Sequence, residues 1–198
     1  MMVSIHINTI ILVSILILII FFIIFWMFNR RVDRYKTLAI SDDLGVFNHR
    51  ELNSKIKFLM RKPDVENFVF MLLDIDFFKN YNDQYGYSKA DHILQDFVNL
   101  VKGYIRKTDL FFRYKNGDEF VLIFSNTGVE QAEEIGNRLR RVIAYHPFQL
   151  DDQQVHLTIS MGITTSIKDD TPEQIKHRAE EALLEAKQSK NTVVLIEE

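Results

Sequence analysis

The stretch that most limits how this chain can fold is Arg113-Tyr114-Lys115-Asn116-Gly117-Asp118-Glu119-Phe120, set between the apolar runs 110–112 and 120–124. Asn116-Gly117 is the dipeptide that best tolerates the positive φ angles of a two-residue turn, so two strands fold back on each other here. A bland hairpin has no need of Asp118-Glu119 directly after its turn. Successive strand residues point to opposite faces, so one of these carboxylates faces the side that a sheet buries. Burial there is costly unless the carboxylate meets a cation or a hydrogen-bond donor, and a metal ion is the simplest partner.

Residues 10–28 are nineteen side chains of which only Ser14 is polar. At about 1.5 Å per residue they span roughly 29 Å, the thickness of a bilayer's hydrocarbon core. The run is too long for a signal peptide, no Lys or Arg precedes it, and no small-x-small cleavage site follows. Residues 1–28 are therefore expected to be a short tail and a single transmembrane helix. Arg30, Arg31, Arg34 and Lys36 come next, which places the C-terminal part in the cytoplasm and the anchor in the inner membrane. Residues 29–40 read as a juxtamembrane linker and 41–198 as one domain. Of 24 Lys+Arg and 27 Asp+Glu, residues 29–40 take four and one, leaving 20 against 26 for the domain. That balance gives no footprint for a long nucleic acid, whereas a nucleotide needs only a few placed cations. The absence of cysteine excludes disulfides, thiolate metal sites and cysteine nucleophiles.

Periodicity predicts a helix over 50–61 with Leu52, Ile56, Leu59 and Met60 inward, ended by Pro63. Phe68 to Asp76 reads as a strand buried on both faces, with Asp74 and Asp76 on one side. A helical piece over 77–83 breaks at Gly86. Ser88 with Asp91 has the spacing of a capping box, opening a helix that turns Ile93, Leu94, Phe97, Val101, Tyr104 and Ile105 inward. Thr127 with Glu130 marks another start, with the stripe Val129, Ala132, Ile135, Leu139 and Val142. A strand at 156–165, a helix opened by Thr171-Pro172-Glu173-Gln174 and a strand at 192–196 complete the order β-α-β-β-α-β, then α-β. This predicts an α+β, ferredoxin-like fold, a largely antiparallel sheet with flanking helices. It sets the end of the first strand beside the hairpin, so Asp74 meets Asp118 and Glu119. Three or four carboxylates at one sheet edge call for a divalent cation, and oxygen donors suit Mg²⁺ or Mn²⁺ better than Zn²⁺.

Asp43-Leu44-Gly45-Val46-Phe47-Asn48-His49-Arg50 follows the pattern D-x-L-T-G-L-x-N-R-R in shortened form. Asp74-Ile75-Asp76-Phe77-Phe78-Lys79, Asn82-Asp83, Gly86 and Asp91 follow D-x-D-x-F-K-x-x-N-D-x-x-G-H-x-x-G-D. Ser160-Met161-Gly162-Ile163 fits S-x-G-I, and Ala182-Leu183 with Ala186-Lys187 fits A-L-Y-x-A-K. In this order, and with the hairpin, residues 41–198 resemble the diguanylate cyclase domain named for its Gly-Gly-Asp-Glu-Phe turn. The resemblance implies that two GTP molecules, one on each of two facing domains of a homodimer, are joined into cyclic di-GMP with loss of pyrophosphate. It implies that Asp74, the carbonyl of Ile75 and Asp118 hold Mg²⁺ or Mn²⁺, and that Asp118 or Glu119 helps deprotonate the attacking hydroxyl. Asn82 and Asp91 would read guanine; Phe78, Asn116 and Gly117 would line the nucleotide; Lys79, Lys187 and Lys190 would meet phosphates. Arg106-Lys107-Thr108-Asp109 is similar to the family's R-x-x-D site, in which Arg106 and Asp109 would hold cyclic di-GMP as an inhibitor. The chain departs from the family at Asn116 in place of the first glycine, at the extra residue Lys115, at Tyr87 and Ala90, and by a glycine missing before Lys190. A one-residue slip reverses strand faces, so Lys115 must be absorbed by a bulge or must re-register residues 110–114.

Plainer readings stand beside these. Asp91 is a helix cap or dipole partner, Lys187 complements a helix C-terminus, Arg106 and Asp109 are solvated charges, and Tyr87 with the phenylalanines belongs to the core. A second class of function also fits, a catalytically silent relative that binds GTP or cyclic di-GMP and signals by contact. A third is a cyclase of the same fold with another cyclic nucleotide as product.

Overall fold

The computed structural model describes residues 18–27, 42–115 and 117–197, which fall in two units, Met1–Ile40 and Ser41–Glu198. In the first, residues 18–27 form a helix (α1) of exposed apolar side chains. The expected span 10–28 lies partly outside the described residues, as does all of the linker 29–40. Among the described residues, no helix is long and apolar enough to cross a membrane.

The second unit runs α2 (His49–Arg61), β1 (Phe68–Ile75), α3 (Phe78–Tyr85), α4 (Tyr87–Lys102), β2 (Leu110–Tyr114), β3 (Glu119–Ser125), α5 (Val129–Tyr145), β4 (Phe148–Leu150), β5 (Gln153–Val155), β6 (Ile159–Thr165), α6 (Pro172–Ser189) and β7 (Val193–Leu195). Its main sheet has the order β2-β3-β1-β6-β7, and β4 with β5 makes a separate hairpin. β1 is antiparallel to β3 and to β6, while β7 runs parallel to β6. The expected ferredoxin-like βαββαβ core is present, extended by α6 and β7. All eight residues of β1 are buried, because alternate side chains serve two cores. Val69, Met71, Leu73 and Ile75 pack with Phe97 of α4 and Leu139 of α5, whereas Phe68, Phe70 and Leu72 pack with Ile56 of α2 and Leu183 of α6. Helices on both faces explain the unbroken apolar run.

Several element ends differ from the sequence expectation. Met60 and Tyr104, expected inward, are exposed. Ser88 and Asp91 do not form a capping box: α4 starts at Tyr87 behind Gly86 and has no side-chain cap bond. Gly86, at φ 82, makes the sharp break between α3 and α4 that a side chain would resist. α5 likewise starts behind Gly128, and the Thr127 hydroxyl donates instead to the Ser125 carbonyl. Its buried stripe is Ala132, Gly136, Leu139 and Ile143 rather than one ending on Val142. The strand expected at 156–165 starts only at Ile159. α6 has its expected capping box of Thr171 and Gln174.

α6 lies directly on β6. A Cβ built on Gly162 would stand 2.3 Å from the Ala179 carbonyl oxygen and 2.3 Å from the Leu183 backbone nitrogen, and Ala179, Ala182 and Ala186 are fully buried on the helix face above. The glycine thereby sets the height of α6 over the sheet. Since neither clashing atom belongs to a flexible side chain, Gly162→Ala is expected to cost about 3 kcal/mol, the upper range for overpacking. A lowered urea midpoint checks this; an unchanged midpoint would show the seat to be loose.

Candidate active site

The register of the hairpin centres on its expected turn, with Leu110 opposite Ile123 and Tyr114 opposite Glu119. The ladder ends at that last pair, so four residues separate its two arms where the sequence predicts a tight two-residue turn. Lys115 takes a left-handed φ of 52° in it. The extra residue is therefore absorbed in the loop, and β2 needs no bulge. Asn116 lies outside the described residues. Arg113 braces the loop from within: its Nε donates to the Gly117 carbonyl at 2.9 Å, and its guanidinium stands 3.7 Å from Asp42. Asp42 itself accepts the Leu44 and Val46 N–H groups at 3.1 Å each. The turn at the start of the domain is thus closed by Asp42.

β1 sets Asp74 opposite Glu119 in the ladder, and the Ile75 N–H donates to the Asp118 carbonyl at 3.3 Å. The Asp74 side chain is 10% exposed and accepts from Lys187 Nζ of α6 at 2.7 Å. Its pKa is nevertheless pushed up to about 6, chiefly by burial; Lys187 opposes the rise, and the negative charges of Asp118 and Glu119 add to it. Asp76 does not join this group. Its carboxylate accepts from the Thr158 and Ser160 hydroxyls at 2.7 Å each and from the Asn191 N–H at 2.9 Å, tying β1 to β6 and to the turn before β7. Among the described residues, no three Asp, Glu or His side chains make a metal-binding cluster. The expected ring of three or four carboxylates is therefore not formed among the described residues. The oxygen donors beside Asp74 suit a hard divalent cation, which would have to displace the Lys187 ammonium now paired with that carboxylate.

Beside the acids lies a cleft of about 450 Å³ lined by Phe78, Asn82, Asp91, Leu94, Gly117 and Asp118, with Tyr87 and Lys115 also on it. That volume suits a small ligand such as a nucleotide. Tyr87, expected in the core, is 77% exposed. Lys79 is exposed on α3. Lys190 lays its ammonium 4.0 Å from the ring centroid of Phe77. Lys190 at φ 56 and Asn191 at φ 43 turn the chain with positive φ angles at the place where the expected glycine is missing. A second cleft, of about 340 Å³, lies between residues 45–47 and 105–111 and includes Arg106, Lys107 and Asp109. There the Asp109 carboxylate accepts the Arg106 N–H at 2.7 Å, so it first closes its own loop.

The profile of the diguanylate cyclase GGDEF domain matches residues 39–192. The chain belongs to that family. Response regulator PleD of Caulobacter vibrioides is 34% identical to this GGDEF protein over 173 residues, which is 84% of this chain and 38% of PleD. A Staphylococcus aureus protein described as an uncharacterized membrane protein is 29% identical over 159 residues, 78% of this chain and 44% of its own length. The crystal structure of diguanylate cyclase SiaD in complex with its activator SiaC, from Pseudomonas aeruginosa, superposes with a TM-score of 0.77 at 27% identity, covering 86% of this chain and 67% of that one. The chain spans less than half the length of these two curated relatives.

Three further residues shape the GGDEF site without having stood out in the sequence. Arg113 carried one signal, a lone cation in an apolar strand before two acids. Asp42 lies one residue before the motif that begins at Asp43. Glu180, which accepts from the Tyr114 hydroxyl at 2.9 Å and from Lys115 Nζ at 3.0 Å, is one acid among several on α6 and carried no signal.

The raised pKa of Asp74 links the site to stability. Its protonated form favours the folded state, so that contribution is complete below the ordinary value of 3.8 and is lost as pH rises through about 6. At pH 7.5 and without divalent cations, Asp74→Asn is expected to raise stability by about 2 kcal/mol. Below about pH 4 the difference should vanish. Thermal melts across this range check it, and a destabilised variant at pH 7.5 would contradict the burial argument.

Proposed function

We propose that the protein is a membrane-anchored diguanylate cyclase. Two copies face each other, each holding one GTP; each ribose 3′-oxygen bonds to the α-phosphorus of the other nucleotide as the bond to the β-phosphate oxygen breaks, and two pyrophosphates leave. The observation that carries this reading is the pairing of Asp74 with Glu119 and of Ile75 with Asp118, the last of which lines the nucleotide-sized cleft.

Asp74, Asp118 and the Ile75 carbonyl would hold Mg²⁺ or Mn²⁺, which supplies neutralisation of the triphosphate and acidifies the attacking hydroxyl. Glu119 or Asp118 accepts that proton. Lys79, Lys187 and Lys190 meet phosphate oxygens as point charges. Asn82 and Asp91, on neighbouring helices at one cleft, offer donors and acceptors to the guanine edge. Phe78, Asn116 and Gly117 wall the nucleotide, and the homodimer aligns the two reacting groups. The cleft at Arg106 and Asp109 takes cyclic di-GMP as inhibitor. The apolar run 10–28 and the basic residues that follow it support an inner-membrane anchor with the domain in the cytoplasm.

Incubating the full-length protein with GTP and Mg²⁺ tests the reading: cyclic di-GMP is the expected product by mass. Intact GTP at high protein concentration, or a different cyclic nucleotide, would overturn it. One observation favours the silent alternative, since Lys187 occupies Asp74 at 2.7 Å where a cation would bind. Calorimetry that gave tight GTP binding with no turnover would decide for that alternative.

A further inference from the structure

Glu180 stands on α6 with 43% of its side chain exposed, and its Oε1 gathers two donors from the end of β2, the Tyr114 hydroxyl and the Lys115 ammonium, at 2.9 and 3.0 Å. The same ammonium lies 4.8 Å from the Tyr114 ring centroid. Burial raises the Glu180 carboxyl, but Lys115 and Tyr114 outweigh it and hold the group below its ordinary value. An exposed lysine–carboxylate pair by itself holds little. Sharing the carboxylate with a tyrosine that is only 8% exposed makes one bracket of the three groups.

Lys115 is the residue that lengthens this hairpin beyond the family's turn, and its φ of 52° is unfavourable for a side chain of its size. Something must hold it there. We propose that Glu180 is a positioning residue for the active hairpin: by gripping Tyr114 and the inserted Lys115 it fixes the loop that presents Gly117 and Asp118 to the cleft. α6 also delivers Lys187 to Asp74, so hairpin and strand acids are set from one rigid element seated on Gly162. The effect on turnover rests on the cyclase reading; the bracket itself does not.

Trypsin cuts after Lys115 when the loop opens, so the cutting rate reports the bracket with no nucleotide present. Alanine is the best helix former, so Glu180→Ala leaves α6 intact. In the full-length variant, cutting at Lys115 is expected to speed up about tenfold, the loss of one charge-assisted bond. Cuts after Lys57 and Arg61 in α2 stay at their former rate, and Lys115→Arg keeps the protection. With GTP and Mg²⁺, Glu180→Ala is expected to lower kcat about tenfold with KM within about twofold, as for a group that aligns and does not bind. Unchanged cutting at Lys115, or equal acceleration at every site, overturns the proposal. Faster cutting at Lys115 in a protein that never turns over GTP supports the bracket and removes the cyclase reading.

Discussion

Replacing Asp118 by alanine is expected to lower the rate of cyclic di-GMP formation by at least about a hundredfold, the usual loss when a metal-holding or proton-accepting carboxylate is removed. The fold should not suffer. Asp118 enters the strand pairing through its peptide carbonyl, which takes the Ile75 N–H, and alanine keeps that carbonyl. Its side chain is half-exposed at the cleft, so the substitution leaves no cavity. Initial rates by chromatography, with thermal midpoints alongside, check both halves. A loss below about fivefold at an unchanged midpoint would place the chemistry elsewhere.

The largest effect on stability is expected at Arg178. Its guanidinium meets both Asp170 oxygens, at 2.9 and 2.6 Å, and also reaches the Thr164 hydroxyl at 3.1 Å and the Thr165 carbonyl at 2.9 Å. The side chains are 13% and 3% exposed. Burial raises the Asp170 carboxyl, yet Arg178 and the Ile167 N–H prevail and hold it below 3.8. The pair's stabilisation is therefore present above that value and is lost as pH falls through the lowered one. Arg178→Met strands a buried carboxylate and is expected to cost about 3 to 5 kcal/mol, lowering the urea midpoint by about 1 to 2 M. The double variant with Asp170→Leu should recover most of this, because no charge is left unpaired. A double variant as unstable as the single one would mean that the bonds to Thr164 and Thr165 carry the effect.

What the sequence revealed follows from how local each cause is. β1 was legible because burial on both faces leaves a continuous apolar run, and α6 because Thr171, Pro172 and Gln174 form its cap within four residues. The convergence of Asp74 with Glu119 followed from topology alone, which pairs the first strand with the hairpin. The starts of α4 and α5 were misplaced because Ser88 with Asp91 and Thr127 with Glu130 mimic a capping box one or two residues from glycines that do the turning. Residue type alone sends Tyr87 to the core, and only the fold shows it exposed at the cleft. Asp76 shares a face and a motif with Asp74. Nothing local tells one from the other; the separation arises from Thr158, Ser160 and Asn191, far along the chain. The link from Glu180 to Lys115 is equally invisible, because it depends on how close Gly162 lets α6 approach.

The central claim is that Asp74 and the hairpin acids act together on the α-phosphate of GTP. Phosphorus NMR of GTP with Mg²⁺ and the full-length protein, wild type against Asp74→Asn, tests it most directly. Pyrophosphate should accumulate with the wild type and stay at background with the variant, whose thermal midpoint is read alongside. Pyrophosphate released equally by both, or by neither, would contradict the account.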